Sequence, residues 1–120
     1  MVEKIEDKLY VYKAIVKKVV DGDTVSLDID LGMRMYMSAN CRMYGINAAE
    51  LHDKDQAVRD KANEAKDYLS SKLTAGSTVL VESKKLDKYG RPLVKIYYGE
   101  NYLDLCNEMI SLGLAVKYLD

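Results

Sequence analysis

From Val25 the chain alternates: Val25, Leu27, Ile29 and Leu31 are apolar, and Ser26, Asp28 and Asp30 between them are polar, the period of a strand with one buried face. After Gly32 the alternation resumes, with Met33, Met35, Met37, Ala39, Cys41 and Met43 on one face and Arg34, Tyr36, Ser38, Asn40, Arg42 and Tyr44 on the other. The methionines read as core filling. By the same parity Arg42 points away from the core they build, near the end of its strand. Upstream, the Val-, Tyr- and Ile-rich run from Leu9 to Val20 reads as a strand that turns at Asp21, Gly22 and Asp23. Gly45 breaks the alternation and permits a bend or bulge that re-aims the residues after it.

Between His52 and Gly76 the period lengthens. Val58, Ala62, Ala65, Leu69 and Leu73 recur every three or four residues, which predicts an amphipathic helix with Asp60, Lys61, Glu64 and Lys66 on its other face. Two short strands follow, near Thr78 to Glu82 and Pro92 to Tyr98, joined by a charged hairpin with a two-residue turn at Tyr89 and Gly90. A last helix is expected from about Tyr102 to Leu112, with Asn101 as N-cap and Gly113 as its stop. Three strands, a helix, two strands and a helix is the order of a five-stranded OB-fold barrel, a mainly β, α+β architecture with its helix between strands three and four.

Length and composition narrow the function classes. At 120 residues the expectation is one domain spanning residues 1–120, and 48% hydrophobic with 31% charged residues is a composition that folds. Ten Tyr with no Phe or Trp means that much aromatic burial must come from rings carrying a hydroxyl, some of them at the boundary of core and water. A net charge of −1 supplies no global positive field, so any handling of nucleic acid has to be local. Two Cys lying 65 residues apart and one His make no zinc-binding cluster, though the spacing leaves a disulfide open. No apolar run has the length of a signal peptide or a membrane span, so the expectation is a cytoplasmic monomer with reduced cysteines and no membrane partner.

Three stretches carry candidate chemistry. In DGDT, Asp21 to Thr24, two carboxylates flank a glycine. That pattern suits a hard cation with oxygen ligands, and equally suits a plain polar turn. An EF-hand loop is excluded, because the residue closing such a loop from Asp21 is Gly32. In CRMYGINAAE, Cys41 to Glu50, Arg42 offers a planar fork that matches phosphate oxygens and Glu50 a carboxylate able to accept a proton from water. Each also reads as an ordinary strand or helix-leading residue. In DKYGR, Asp87 to Arg91, the arginine begins a strand close to Lys84, Lys85 and Lys88, where this nearly neutral chain concentrates positive charge.

In order and spacing, VVDGDTV, CRMYGINAAE, the amphipathic helix, DKYGRPLVKIYY and the closing ISLGLA resemble the staphylococcal nuclease (thermonuclease) family from about Lys13 to Ala115. The resemblance implies a calcium-dependent phosphodiesterase on an OB barrel, cleaving single-stranded DNA or RNA to products ending in 3'-phosphates. It implies Asp23 as a calcium ligand, with Asn47 and the backbone carbonyl of Ala48 beside it. Arg42, Glu50 and Arg91 take the catalytic positions, and Lys88 and Tyr89 contact the substrate. Asn47 stands where the family carries aspartate and Ala49 where it carries proline, so the metal would be held with less charge on a less rigid loop. Tyr118 lies out of register with the tyrosine that the family lays over a base, and no role is carried over to it. Those departures keep a second class open: an OB-fold nucleic-acid- or protein-binding module with weak or no turnover.

Overall fold

A computed structural model of the chain describes residues 4–118. After a 3-10 turn at Ile5–Lys8 come β1 (Val11–Asp21), β2 (Thr24–Gly32), β3 (Met35–Met43), β4 (Ile46–Asn47) and α1 (Gln56–Lys72). They are followed by β5 (Thr78–Leu86), β6 (Pro92–Tyr98), β7 (Leu103–Asp104), α2 (Leu105–Ser111) and β8 (Val116–Lys117). Antiparallel pairing runs β3-β2-β1-β5-β6, and a parallel pairing of Arg42 and Met43 with Leu93 and Val94 closes the sheet on itself. The fold is a closed five-stranded mixed barrel with two helices, the OB-like α+β architecture that the order of elements predicts.

Alternation delivers the core. Ala14 and Val16, Val25, Leu27 and Ile29, Val79 and Val81, and Val94 and Ile96 fill the barrel from four strands, and Cys41 and Met43 complete it from β3. Helix α1 starts where the Asp55 carboxylate accepts the Ala57 N–H at 2.9 Å, and it buries Ala62, Ala65 and Leu69, with Leu73 at its C-cap. Tyr12, Tyr68 and Tyr98 pack at the edge of this core, and the Tyr98 hydroxyl donates to Glu108 at 2.6 Å. Cys41 and Cys106 are free buried thiols, pushed up to about 11 and about 12 by loss of solvent. Among the described residues no helix is long and apolar enough to cross a membrane.

Two expectations are corrected. Met33, Met35 and Met37 are not core filling: they are 97%, 61% and 38% exposed, whereas Met43 is fully buried. Parity places Met35 and Met37 on the face of Cys41, since Met37 pairs with Ile29 as Cys41 pairs with Val25, whereas Met33 lies in the left-handed turn at φ +55° and belongs to no strand face. The β2–β3 hairpin, however, runs past the barrel, and none of the described residues covers its tip. The last helix begins at Leu105 and not Tyr102, because Leu103 and Asp104 pair with β6 and the Asp104 carboxylate, not Asn101, caps it through the Asn107 N–H. Arg42 lies on the face opposite Cys41 and Met43, yet at this end of β3 that face is covered and the side chain is only 10% exposed.

Gly22 has a packing reason. Its φ lies outside the left-handed region, but a Cβ there would sit 2.8 Å from the Ala48 Cβ and 2.9 Å from the Ala65 Cβ, closer than carbon atoms approach. The turn after β1 is thus wedged between the β4 segment and α1. Gly22→Ala is expected to lower stability in a thermal or urea melt by about 1–3 kcal/mol, the cost of overpacking. Met33→Gln on the overhanging tip is expected to change it by less than about 0.5 kcal/mol. Equal effects from the two would contradict this packing.

Candidate active site

Strand register sets the site. In the β2–β3 ladder Arg42 pairs with Thr24, and in the closing ladder it pairs with Leu93, so it stands between the DGDT turn and the hairpin that ends at Arg91. The Met43 N–H donates to the Asp23 carbonyl at 2.8 Å, which extends the first ladder into the turn. Past Gly45, held at φ +79°, the chain forms β4, where Asn47 pairs with Val116 of β8.

These elements surround a cleft of about 530 Å³. Of the residues singled out from the sequence, Asp23, Arg42, Asn47, Glu50, Lys88, Tyr89 and Arg91 all line it. Ala48 does not. It lies behind the wall, its N–H donating to Asp23 Oδ2 at 3.0 Å. Asp21, Lys85 and Tyr118, which the sequence shows without assigning them a site role, also line it. Asp21 was quoted in the turn but given no role, and its place two residues before Asp23 was the available signal. Lys85 lies on a strand that runs four residues beyond its expected end at Glu82, and Tyr118 is brought in by β8, a strand too short to show periodicity.

On the cleft floor Asp23 is surrounded by its own turn. Its Oδ1 accepts the Thr24 hydroxyl at 3.2 Å, and its N–H donates to Asp21 Oδ1 at 3.2 Å. Burial, together with the neighbouring Asp21 carboxyl, pushes Asp23 up to about 6, against the pull of the Ala48 N–H and of Arg42. Arg42 Nη2 is 3.8 Å from Asp23 Oδ2 and donates to Asn47 Oδ1 at 3.0 Å. The Arg42 guanidinium also lies 5.1 Å from the centre of the Tyr118 ring.

The rim is the β5–β6 hairpin. Its loop has three residues, Lys88, Tyr89 and Gly90, and not the expected two: the Asp87 N–H donates to the Arg91 carbonyl at 2.8 Å, with Gly90 left-handed at φ +81°. The Asp87 carboxylate fixes the loop by accepting from the N–H groups of Tyr89 and Arg91, both at 2.9 Å, and from Arg91 Nε at 2.7 Å. These donors hold Asp87 below the usual carboxylate range despite some desolvation, which acts the other way. Arg91 is oriented through Nε, while Lys88 and Arg91 flank the Tyr89 ring at 5.2 and 5.8 Å. Lys84 is not part of the rim, because it pairs with Glu82 at 3.2 Å and lies over Tyr44. Glu50 is exposed, and its carboxylate has no hydrogen-bond or ion-pair partner among the described residues. His52 is an exposed turn residue away from the cleft lining.

The family model described as Staphylococcal nuclease homologue matches residues 40–119, two thirds of the chain. The chain belongs to the staphylococcal nuclease family. It is also 32% identical over 115 residues to Endonuclease YhcR of Bacillus subtilis (strain 168), an alignment taking in 89% of this chain and 9% of that protein. The chain thus spans less than a tenth of that relative's length. The family match begins at Asn40, after the DGDT turn, so Asp21 and Asp23 join the site on geometry: the β2–β3 register brings them beside Arg42.

The raised Asp23 value carries a stability consequence. Its folded value of about 6 exceeds its ordinary value of 3.8, so the folded state holds the proton across that window and loses stability as pH rises through it. In chelator, Asp23→Asn is expected to melt at a higher temperature than the parent at pH 7. The difference should shrink as pH falls from about 6 towards about 4. A pH-independent difference, or one that grows in acid, would contradict the burial of a charged Asp23.

Proposed function

We propose that the chain is a calcium-dependent nuclease that hydrolyses phosphodiester bonds of single-stranded DNA or RNA and leaves 3'-phosphates. The observation that carries this reading is one cleft holding two oriented guanidinium groups, Arg42 and Arg91, with an exposed carboxylate, Glu50, that has no side-chain partner among the described residues. Water attacking a phosphodiester builds negative charge on the nonbridging oxygens, and Arg42 and Arg91 donate to that charge where it develops. Glu50 orients the water and accepts its proton, while the bond from phosphorus to the 5'-oxygen breaks and leaves a 5'-hydroxyl. Lys85 and Lys88 add positive charge along the strand's path, and Tyr89 contacts phosphate or sugar.

The donor set fits a hard cation. Asp21 and Asp23 crowd two carboxylates together at a partly buried position, and burial, with that crowding, raises the proton affinity of Asp23, an energetic cost that a divalent ion would relieve. Asp21 and Asp23 would hold calcium, with the Asn47 amide oxygen and the Ala48 carbonyl as neutral oxygens on the adjoining segment. Among the described residues no three acidic, His or Cys side chains form a metal cluster, which fits a site completed by neutral oxygens and water. When bound, the ion supplies further positive charge to the phosphate.

The second reading, a binding module with little turnover, draws support from Asn47, which brings no charge and already accepts a hydrogen bond from Arg42. One comparison separates the two: cleavage of a single-stranded oligonucleotide in calcium against its binding in chelator. Cleavage abolished by chelator is the expected result, and binding without cleavage would favour the module. Glu50→Gln and Arg91→Ala are each expected to lower kcat by about 10²–10³. Asn47→Asp is expected to lower the calcium concentration that gives half-maximal activity, and an unchanged dependence would remove Asn47 from the metal.

A further inference from the structure

Arginine is a long side chain whose several rotamers must be ordered before its planar fork meets a phosphate. Arg42 is ordered already: besides the Asp23 carboxylate 3.8 Å from Nη2, two neutral groups brought in by the β4–β8 pairing touch it. The β4–β8 pairing sets Asn47 opposite Val116 and Ile46 opposite Lys117, and the Tyr118 N–H donates to the Gly45 carbonyl at 2.9 Å. That arrangement brings residues 71 positions apart to the same guanidinium. Asn47 Oδ1 accepts from Nη2 at 3.0 Å, and the Tyr118 ring lies 5.1 Å from Cζ.

We propose that Tyr118 is a positioning residue for the reaction, acting through Arg42. The proposal rests on the reading above, in which Arg42 meets the substrate phosphate. The chemistry of the contact favours it over an ion pair for this purpose. An aromatic face attracts the guanidinium through its quadrupole and occupies none of its five N–H donors. A second carboxylate there, added to Asp23, would take further donors and cancel more of the charge that the phosphate needs. Tyr118 is 45% exposed and contributes little to the core, so its ring is not explained by packing. The contact depends on an aromatic face and not on a hydroxyl.

The test compares Tyr118→Phe and Tyr118→Leu, each alone and in an Arg42→Ala background, by kcat/KM on a single-stranded oligonucleotide in calcium. Tyr118→Leu is expected to lose about 3- to 30-fold, the range of a partly desolvated cation–π contact. Tyr118→Phe should keep most of the activity, and in the Arg42→Ala background the leucine variant should add no further loss. Three results would overturn the proposal: no loss in Tyr118→Leu; an equal loss in Tyr118→Phe, which would assign the effect to the hydroxyl; or the full loss persisting without Arg42, which would mean that the ring touches substrate itself. If the parent shows no calcium-dependent cleavage, the nuclease reading fails separately. Oligonucleotide affinity in chelator then decides the role of Tyr118, with the same ordering of Phe, Leu and the Arg42→Ala background expected.

Discussion

The site depends on a closure only two residues long. Four antiparallel ladders bring β3, β2, β1, β5 and β6 side by side, but it is the parallel pairing of Arg42 and Met43 with Leu93 and Val94 that turns the sheet into a barrel. Met43 and Val94 point inward and are almost fully buried, so the closure is held by core packing as well as by backbone pairing. Arg42 and Arg91 stand at its open side. A barrel needs this closure to remove its sheet edges, and in making it the chain brings together two cations that are 49 positions apart in sequence.

Charge in the cleft is arranged by depth. The acids of the DGDT turn lie on the floor, where Gly22 lets the turn wedge between Ala48 and Ala65. The cations of the β5–β6 hairpin lie on the rim. A chain with net charge −1 therefore concentrates Lys88 and Arg91 on the rim above a floor where Asp21 and Asp23 lie beside Arg42, and neither group depends on a global field. Asp87 is the exception that makes the rim work: its carboxylate is spent inside the loop, where it accepts from three donors and aims Arg91. Arg42 is held differently: an amide oxygen and an aromatic face touch it, and its carboxylate neighbour, Asp23, lies farther off at 3.8 Å.

Much of the fold was legible because period is a local property. The alternation of β2, the 3.6-residue repeat of α1 and the glycine stops each follow from neighbouring residues, and the order of elements then pointed to the barrel. Alternation gives the face of a strand and not whether anything covers that face, which is why Met33, Met35 and Met37 were misread while Met43 was not. The short strands β4, β7 and β8 were invisible, because two residues show no period, and with them went the true cap of α2 and the approach of Tyr118 to Arg42. The candidate residues in motifs of fixed spacing, Ala48 excepted, all line the cleft. Asp21, Lys85 and Tyr118 reach the cleft through register and chain path, which only the folded arrangement reveals.

In the proposed reaction, closure of the barrel aims Arg42 and Arg91 at one phosphate. The most direct measurement is an NMR titration of the arginine side-chain N–H signals with a dinucleotide containing a single phosphodiester, in chelator so that no turnover occurs. The account predicts that the Arg42 and Arg91 signals shift together and follow one dissociation constant. Movement of one signal without the other, or two distinct constants, would contradict it.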